Sequence, residues 1–445
     1  MNLVHFTPGA GAMYCGGCLR DNALVAALRQ LGHEVLVIPL YLPLTLDEQD
    51  QSAGTPIFFS GINVYIGQKA PLFRGAPGWL RDLFTSPRLL QWAAGKAAKT
   101  RAADLGELTL SMLRGEAGNQ ARDLEELIAW LKTQPKPDVL CLSNALLVGM
   151  ARRLKSAVGA PVACALQGED FFLDGLPESH RAGCWQALAE RAADVDLFIA
   201  PSRYFGDLMR ERLGLPAERV RVVYNGINLD GYTAGGGGGK SEAQSPKSEV
   251  PGAGIPTLGF FARMCREKGL DTLVEAYLLL RQRGRVGNLK LRVGGSCGPA
   301  DRAFVDTLRE RLRAAGVIGD VEFHPNLGHA AKLEFLRSLS VFSVPALYGE
   351  AFGLYIIEAM AAGVPVVQPP VAAFPELIEA TGGGVLCADT GHHALAEAIE
   401  ELLMDPARAR ALGEAGRCAV FERFSAGSMA QATAHSYREL AGRMS

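Results

Sequence analysis

Two glutamates, Glu350 and Glu358, have a spacing that suggests shared chemistry. The surrounding residues 348–376 read as the end of a loop, a short helix and a buried strand. This pattern predicts Glu350 in the loop before the helix and Glu358 in the second helical turn. Between them lie backbone N–H groups that have no partner within the helix, at Phe352, Gly353 and Leu354. Because a helix N-terminus binds anions and carboxylates bind hydroxyls, the stretch predicts a site for a phosphate beside a sugar.

The complete motif in residues 348–376 resembles the donor-site signature of the retaining glycosyltransferases of family 4, which have the GT-B fold. The later pair Pro375-Glu376 belongs to the same pattern. The resemblance implies that Glu350 faces the sugar of a nucleotide diphosphate sugar and that Glu358 binds its ribose. For Glu358 alone, an amphipathic helix with a solvated carboxylate explains the sequence about equally well. The complete pattern favours the family.

Arg263 and Lys268 lie in a loop after a predicted strand, residues 257–261. By themselves, an Arg and a Lys in a loop are usually solvated. The resembling family places an Arg and a Lys five residues apart here, both on the donor diphosphate. The resemblance therefore implies a catalytic set of Arg263, Lys268 and Glu350, since fixed cations stabilise the charge that grows on a leaving phosphate. Residues 324–326 correspond loosely to the family's nucleotide-base region.

A glycine-rich loop follows the first predicted strand, residues 2–6, and leads into a helix and a second strand. In an open α/β sheet such a loop lies at the carboxyl end of its strand, where ligands bind. Gly16 and Gly17 match the first loop of GT-B transferases, which implies contact with the donor phosphate or sugar. The G-x-G-x-x-G spacing of dinucleotide binders is absent. For Gly9 and Gly11, a glycine-rich turn without a ligand is an open alternative.

Cys15 and Cys18 form a C-x-x-C within the same loop. A zinc site would need a second ligand pair and a redox site a thioredoxin-like context, and the other cysteines are isolated. Two small packed thiols are therefore the favoured interpretation. A reactive thiol is the alternative, because a helix N-terminus lowers the pKa of a cysteine.

The predicted strand 162–166 ends in a polar run that contains Gln167, Glu169 and Asp170. Members of the resembling family often have His-Gly-x-Asp there, with the His near the reacting sugar. Gln167 takes the place of that His, and an amide can hydrogen-bond a hydroxyl but cannot exchange protons near neutral pH. The resemblance implies that these three residues face the acceptor. The departure leaves the activation of the acceptor open, the leaving phosphate being one candidate base.

The overall composition indicates a globular enzyme. A length of 445 residues suggests two or more domains, and a net charge of −2 gives no general reason to expect nucleic-acid binding. The chain enters a predicted strand at Asn2 without the pattern of a signal peptide, and no apolar run is long enough to cross a bilayer. The nine cysteines are therefore expected to be reduced thiols in the cytoplasm.

Residues 68–101 form a basic segment, with seven basic side chains against a single acid, Asp82. Trp, Phe and Leu residues are interleaved with these charges. One interpretation is an amphipathic surface for an anionic membrane, on its inner face, or for a lipid-phosphate acceptor. The favoured alternative is a helical insert with a solvated basic face.

The alternation of strands and helices, together with the resemblance, predicts an α/β fold of the GT-B type. Two Rossmann-like domains are expected to face each other across a cleft. Residues 1–232 would form the acceptor domain, the glycine-rich residues 233–254 a flexible linker, and residues 255–424 the donor-binding domain. The last helix, within residues 425–445, is expected to pack back onto the first domain.

The expected reaction is transfer, with retention, of a sugar from a nucleotide diphosphate sugar to a hydroxyl of a saccharide, lipid-linked or small-molecule acceptor. No carboxylate cluster suggests a metal, so neither a metal nor another cofactor is expected. Three alternatives stay open. An NAD-dependent enzyme is opposed by the missing glycine motif and by the Arg–Lys pair. A nucleotide-sugar epimerase is the second, and a non-catalytic nucleotide-sugar binder, favoured only by Gln167, is the third.

Overall fold

The computed structural model describes residues 1–8, 16–41, 48–59, 102–232 and 254–443. The chain forms two compact units. The first unit consists of Met1–Tyr224 together with Gly427–Ser445, and the second of Asn225–Ala426. Several predictions concern residues outside the described ranges and stay predictions: those for Gly9, Gly11, Cys15, the basic segment 68–101, and all of the linker 233–254 except its last residue.

The first unit is built on a six-stranded parallel sheet with strand order β2-β1-β3-β4-β5-β6. Most of its strands are short, buried and aliphatic, as expected for a parallel sheet covered by helices. The strands are β1 (Asn2–Thr7), β2 (Glu34–Pro39), β3 (Val139–Leu142), β4 (Val162–Ala165), β5 (Leu197–Ala200) and β6 (Val220–Val222). The helices are α1 (Gly16–Gln30), α2 (Ala102–Leu113), α3 (Ala121–Leu131), α4 (Ala151–Val158), α5 (Glu169–Asp174), α6 (Glu178–Ala192) and α7 (Arg203–Leu213).

The second unit has its own six-stranded parallel sheet, with strand order β12-β11-β10-β7-β8-β9. Its strands are β7 (Thr257–Phe261), β8 (Lys290–Gly295), β9 (Val321–Pro325), β10 (Val341–Phe342), β11 (Val366–Gln368) and β12 (Gly384–Leu386). Its helices are α8 (Leu270–Arg283), α9 (Arg302–Ala314), α10 (His329–Arg337), α11 (Leu354–Ala361), α12 (Phe374–Thr381), α13 (His392–Met404) and α14 (Pro406–Arg423). The last helix, α15 (Ala426–Gly442), belongs to the first unit from Gly427 onward.

The predicted α/β fold class is confirmed by these two parallel sheets. Strand β7 begins and ends at the predicted residues, 257 and 261. Strand β10 is short and ends at Phe342. Beyond it, the N–H of Ala346 bonds to the carbonyl of Val344 at 2.8 Å in a turn, and Pro345 has no N–H to give to a sheet.

Two further properties concern the described residues as a set. Within these ranges, no helix combines the length and the apolar character that crossing a membrane requires. Nor do three or more His, Cys, Asp or Glu side chains come together, among the residues described, in a group that could hold a metal ion.

Candidate active site

Helix α11 and the loop before it have the predicted local structure. Gly353 precedes the helix in the left-handed region, at φ 94°, and α11 begins at Leu354. Gly363 follows the helix at φ 79°, and its N–H bonds to the carbonyl of Met360 at 2.8 Å. Most apolar residues of α11 are buried, which fixes the helix against the sheet. Glu350 therefore lies before the helix and Glu358 in its second turn, as the sequence predicted.

Glu350 lies at the centre of a polar cluster that contains Lys268. The Oε2 atom of Glu350 accepts hydrogen bonds from Lys268 Nζ at 2.5 Å, from the Tyr355 hydroxyl at 2.8 Å and from the Tyr348 hydroxyl at 3.0 Å. The ammonium of Lys268 also contacts the Tyr348 hydroxyl and lies 4.8 and 5.1 Å from the ring centroids of Tyr348 and Tyr355. The structure thus brings two of the three predicted catalytic residues together. Sequence reasoning missed both tyrosines.

A glycine allows this close approach of two loops. Gly269, directly after Lys268, has φ 71°, and a Cβ atom there would lie 1.8 Å from the backbone oxygen of Pro345. Only a residue without a side chain lets the loop after β7 pack on the loop after β10. The N–H of Leu347 also bonds to the carbonyl of Glu267 at 2.9 Å. These backbone contacts hold Lys268 beside Glu350.

The electrostatic state of Glu350 follows from its neighbours. Burial alone would raise the pKa of this carboxyl, but the charge of Lys268 and the hydrogen bonds from Lys268, Tyr355 and Tyr348 hold the pKa below its ordinary value. Burial, together with the charge of Glu350, raises the pKa of Tyr355 well above its ordinary range. Near neutral pH the cluster therefore contains an ionised Glu350 carboxylate beside a Tyr355 phenol that stays protonated.

Arg263, the third residue of the predicted catalytic set, has a different carboxylate partner. Its guanidinium donates to both oxygens of Asp301, with Nη2 2.9 Å from Oδ1 and Nε 3.2 Å from each oxygen. These hydrogen bonds raise the pKa of Arg263. The side chain of Asp301 is 8% exposed, whereas that of Arg263 is 58% exposed. Arg263 is thus fixed at one end of the loop and still accessible to a ligand.

Glu358 forms an ion pair with Lys332, a residue of α10 that sequence reasoning missed. The Nζ atom of Lys332 lies 3.0 Å from Oε1 of Glu358. The two side chains are 11% and 18% exposed. The helical spacing in the sequence places Lys332 on the same face as the apolar residues Phe335 and Leu336, a pattern that indicates burial. All three residues are buried in the structure.

A cavity of about 200 Å³ lies where the loops after β7, β8 and β9 meet helix α9. Met264, Cys297 and Asn326 line it on the loop side, and Arg302 and Arg309 on the helix side. The N–H of Cys297 donates to Asn326 Oδ1 at 3.0 Å, and Asn326 Nδ2 donates to the carbonyl of Cys297 at 3.3 Å. This reciprocal pair fixes two of the three loops.

The predicted acceptor-side residues lie after β4, and they differ in how their side chains are used. The carboxylate of Glu169, a residue that is 4% exposed, accepts from the N–H groups of Ala145 at 2.8 Å, Gln167 at 2.9 Å and Gly168 at 3.1 Å. Burial nevertheless raises the pKa of Glu169. A carboxylate with three backbone donors serves to hold the loops around it. Glu169 therefore has a structural task, which the sequence interpretation did not separate from ligand binding.

Asp170 and Gln167, unlike Glu169, each have a buried polar atom that forms no hydrogen bond within the described residues. In the described structure, Asp170 Oδ1 and Gln167 Nε2 have no hydrogen-bond partner. Asp170 is 8% exposed, and burial raises the pKa of its carboxyl despite a backbone hydrogen bond from Phe171 and the charge of Arg212. A buried acceptor and a buried donor without partners are costly unless a ligand or water satisfies them.

Gly16 and Gly17 are the first two residues of α1. Gly16 is exposed and Gly17 is half-buried. A buried charged group that the sequence interpretation missed lies just beyond them, where Arg20 Nη1 donates to Asp21 Oδ1 at 2.9 Å and His5 Nε2 lies 3.6 Å from Asp21 Oδ2. Cys18 is also buried in this first turn.

Comparison with known proteins matches most of the chain. Residues 242–418 match the family model described as glycosyl transferases group 1, and residues 20–226 match a glycosyl transferase 4-like domain. The alpha-maltose-1-phosphate synthase of Mycolicibacterium smegmatis is 30% identical over 278 residues, which cover 60% of this chain and 68% of that protein.

Solved structures share the fold of the whole chain. The sucrose-phosphate synthase of Thermosynechococcus elongatus has a TM-score of 0.71 at 20% identity and covers 99% of both chains. An Anabaena protein solved in complex with UDP and glucose has a TM-score of 0.67 at 17% identity, over 99% of this chain and 100% of that one. The two-unit α/β architecture is therefore common to all three proteins.

Proposed function

The chain belongs to the glycosyl transferases of group 1, with the GT-B fold, and we propose that it transfers a sugar with retention from a nucleotide diphosphate sugar to an acceptor hydroxyl. The observation that carries this proposal is the ion pair of Lys268 and Glu350 beside the start of α11. It supplies a cation for a leaving diphosphate and a carboxylate for the sugar. Both lie next to a helix N-terminus that favours anions.

The donor diphosphate is proposed to lie between Lys268, Arg263 and the start of α11. Breaking the bond between the sugar and the phosphate places negative charge on the diphosphate, and fixed cations stabilise that charge most in the transition state. The guanidinium of Arg263 is hydrogen-bonded to Asp301 and is still exposed enough to contact a ligand. Two side-chain cations provide the charge compensation that a divalent ion would otherwise give, which supports a metal-independent reaction.

The two glutamates are proposed to hold different parts of the donor. Glu350, held in the ionised form by Lys268 and two tyrosines, would face the sugar and the positive charge that develops on it. Glu358, one turn into α11, would accept hydrogen bonds from the ribose. The nucleotide base of the donor is proposed to lie in the cavity between Cys297, Asn326 and α9. Gly16 and Gly17 would contact the same donor.

The acceptor hydroxyl is proposed to bind Asp170 and Gln167, whose buried oxygen and nitrogen lack partners in the described structure. Gln167 donates a hydrogen bond but does not exchange a proton, so the leaving phosphate is the proposed base. Glu169 is assigned to holding the loops. A saccharide, lipid-linked or small-molecule acceptor fits this arrangement. The basic segment 68–101 and its membrane contact remain a prediction from the sequence.

Replacing Asp170 with asparagine is expected to lower turnover about 10- to 100-fold. A neutral amide oxygen accepts a weaker hydrogen bond from the hydroxyl of the acceptor substrate than a carboxylate oxygen does. Nucleoside diphosphate affinity and the melting temperature should change little, since Asp170 Oδ1 bonds to nothing in the described structure. The matched control is Asp174→Asn on the same helix, where the carboxylate pairs with Arg212 at the surface. Equal turnover in both variants would remove Asp170 from the acceptor site.

The proposed function is tested by a donor screen followed by product analysis. UDP, GDP and ADP and their sugars are added to the protein, and the correct nucleotide should raise the melting temperature, because a ligand at 100 times its Kd adds about 2.7 kcal/mol of stability. The Anabaena structure contains UDP, so UDP is the first candidate. The donor that binds should then yield a transferred sugar with the anomeric configuration of the donor, seen by NMR with an acceptor panel. Binding without transfer would favour a non-catalytic binder, and an altered sugar without acceptor an epimerase.

A further inference from the structure

Lys332 is a buried lysine on the face of α10 that packs into the second unit. The residue is 8% exposed, and its neighbours Leu333, Phe335 and Leu336 are also buried. A buried ammonium loses much of its hydration, so a leucine or methionine at this position would pack at lower cost. A buried ion pair is weak evidence for a gain in stability. Another reason for a lysine here is therefore needed.

The ammonium group of Lys332 lies beside a carboxylate oxygen of Glu358, a proposed ligand-binding residue. Lys332 Nζ lies 3.0 Å from Oε1 of Glu358, which belongs to a different helix, α11. The Glu358 side chain is 18% exposed, so the pair is open to solvent on one side. A hydrogen bond from a buried ammonium restricts the torsions of a glutamate that would otherwise sample several rotamers. One carboxylate oxygen is thereby held in place, which limits the orientations that the carboxylate can take.

The pair also completes a pattern in the charges of this site. Glu350 is matched by Lys268, and Glu358 is matched by Lys332. Two unmatched carboxylates near a diphosphate would repel it, since like charges a few ångströms apart interact strongly in a partly buried site. With each carboxylate matched by an ammonium, the site can hold hydroxyls on carboxylates while the diphosphate binds nearby.

We propose that Lys332 is a positioning residue that orients the Glu358 carboxylate to accept hydrogen bonds from the two hydroxyls of the donor's ribose. The proposal rests on the proposed function, because it needs the ribose at Glu358. A ribose presents two neighbouring O–H donors, and a carboxylate of fixed orientation can accept both. Lys332 itself does not touch the reacting atoms. Its effect is selectivity for ribose over 2′-deoxyribose.

The experiment compares ribose and deoxyribose ligands in wild type and in variants. The probes are UDP, GDP and ADP with their 2′-deoxy forms, and the affinities are measured by calorimetry. Wild type should bind the ribose form of its preferred nucleotide about 10- to 100-fold more tightly than the deoxy form, because the missing hydroxyl leaves a buried carboxylate oxygen unpaired. In Lys332→Met this preference should fall to about threefold or less. Lys332→Arg, which restores a charged donor, should recover most of it.

Controls separate orientation from packing. Lys290→Met removes a half-buried lysine at the start of β8 and should leave the ribose preference unchanged. Glu358→Gln should lose the preference as Lys332→Met does, and the double variant should lose no more than either single variant, since both act on one contact. If Lys332→Met does not fold, Lys332→Leu carries the same comparison, because leucine also removes both the charge and the hydrogen-bond donor.

The outcomes distinguish the two levels of the argument. If folded Lys332→Met or Lys332→Leu keeps the full ribose preference while Glu358→Gln loses it, Lys332 is structural and the inference is wrong. If Glu358→Gln itself keeps the preference, the ribose role of Glu358 in the proposed function is wrong, and the inference falls with it. Loss of the preference in both variants, with recovery in Lys332→Arg, supports the inference.

Discussion

Replacing Lys268 with methionine is expected to lower kcat/KM for sugar transfer about 10²- to 10³-fold while the protein stays folded. The lost ammonium would no longer stabilise the charge on the leaving diphosphate, a contact worth about 2.7–4 kcal/mol at a transition state. The measurement is the initial rate at several donor concentrations. Arg266→Met in the same loop is the matched control, because that side chain is 71% exposed and pairs with Asp271. Its kinetics should equal those of wild type.

The same variant has a second expected effect, on the titration of Glu350. Lys268 helps to hold the pKa of this carboxyl below its ordinary value. The stabilisation from ionised Glu350 is therefore present above the unfolded pKa and is lost as the pH falls through the lower, folded pKa. Without Lys268 the folded pKa rises, so the acid-unfolding midpoint should move to higher pH. Unchanged kinetics and an unchanged midpoint would mean that Lys268 does not act at this site.

The two glutamates should separate when each is changed to glutamine. Glu350→Gln is expected to lower kcat by about 10²-fold, because the charge opposite the developing positive sugar is lost. KM for the donor should change far less, since a contact that tightens in the transition state acts mainly on the rate. Glu358→Gln should instead raise KM for the donor about tenfold, because the ribose contact is made in the ground state too. Initial rates over a range of donor concentrations measure both effects.

Local signals explain why much of the second unit was predictable. Gly353, Gly363 and Pro365 mark the ends of α11 and the start of β11, and a glycine or proline at such a point acts through its own backbone. Strand β7 is an apolar run that ends before a polar loop. The predicted placement of Glu350 and Glu358 depended only on these signals, and the structure has them in that place.

Non-local pairing explains what the sequence did not show. Arg263 is paired with Asp301, 38 residues away, and Lys332 with Glu358, 26 residues away. Such contacts depend on how separate elements pack and on side-chain rotamers, which no local pattern encodes. Helix α3 is a different case, because Leu124, Leu127, Ile128 and Leu131 are buried at helical spacing and carried a signal that was not interpreted. Glu169 shows the same limit, since its three backbone partners come from two loops.

The central claim is that Glu350 contacts the sugar of the donor and Glu358 contacts its ribose. Calorimetric titration of Glu350→Gln and Glu358→Gln with the free nucleoside diphosphate tests this claim most directly. This ligand has a ribose and no transferable sugar. Glu350→Gln should bind it with nearly the wild-type Kd, and Glu358→Gln should bind it about tenfold more weakly, a difference of about 1.4 kcal/mol. Loss of nucleoside diphosphate binding in Glu350→Gln, or wild-type binding in Glu358→Gln, would contradict the assignment of sugar to Glu350 and ribose to Glu358.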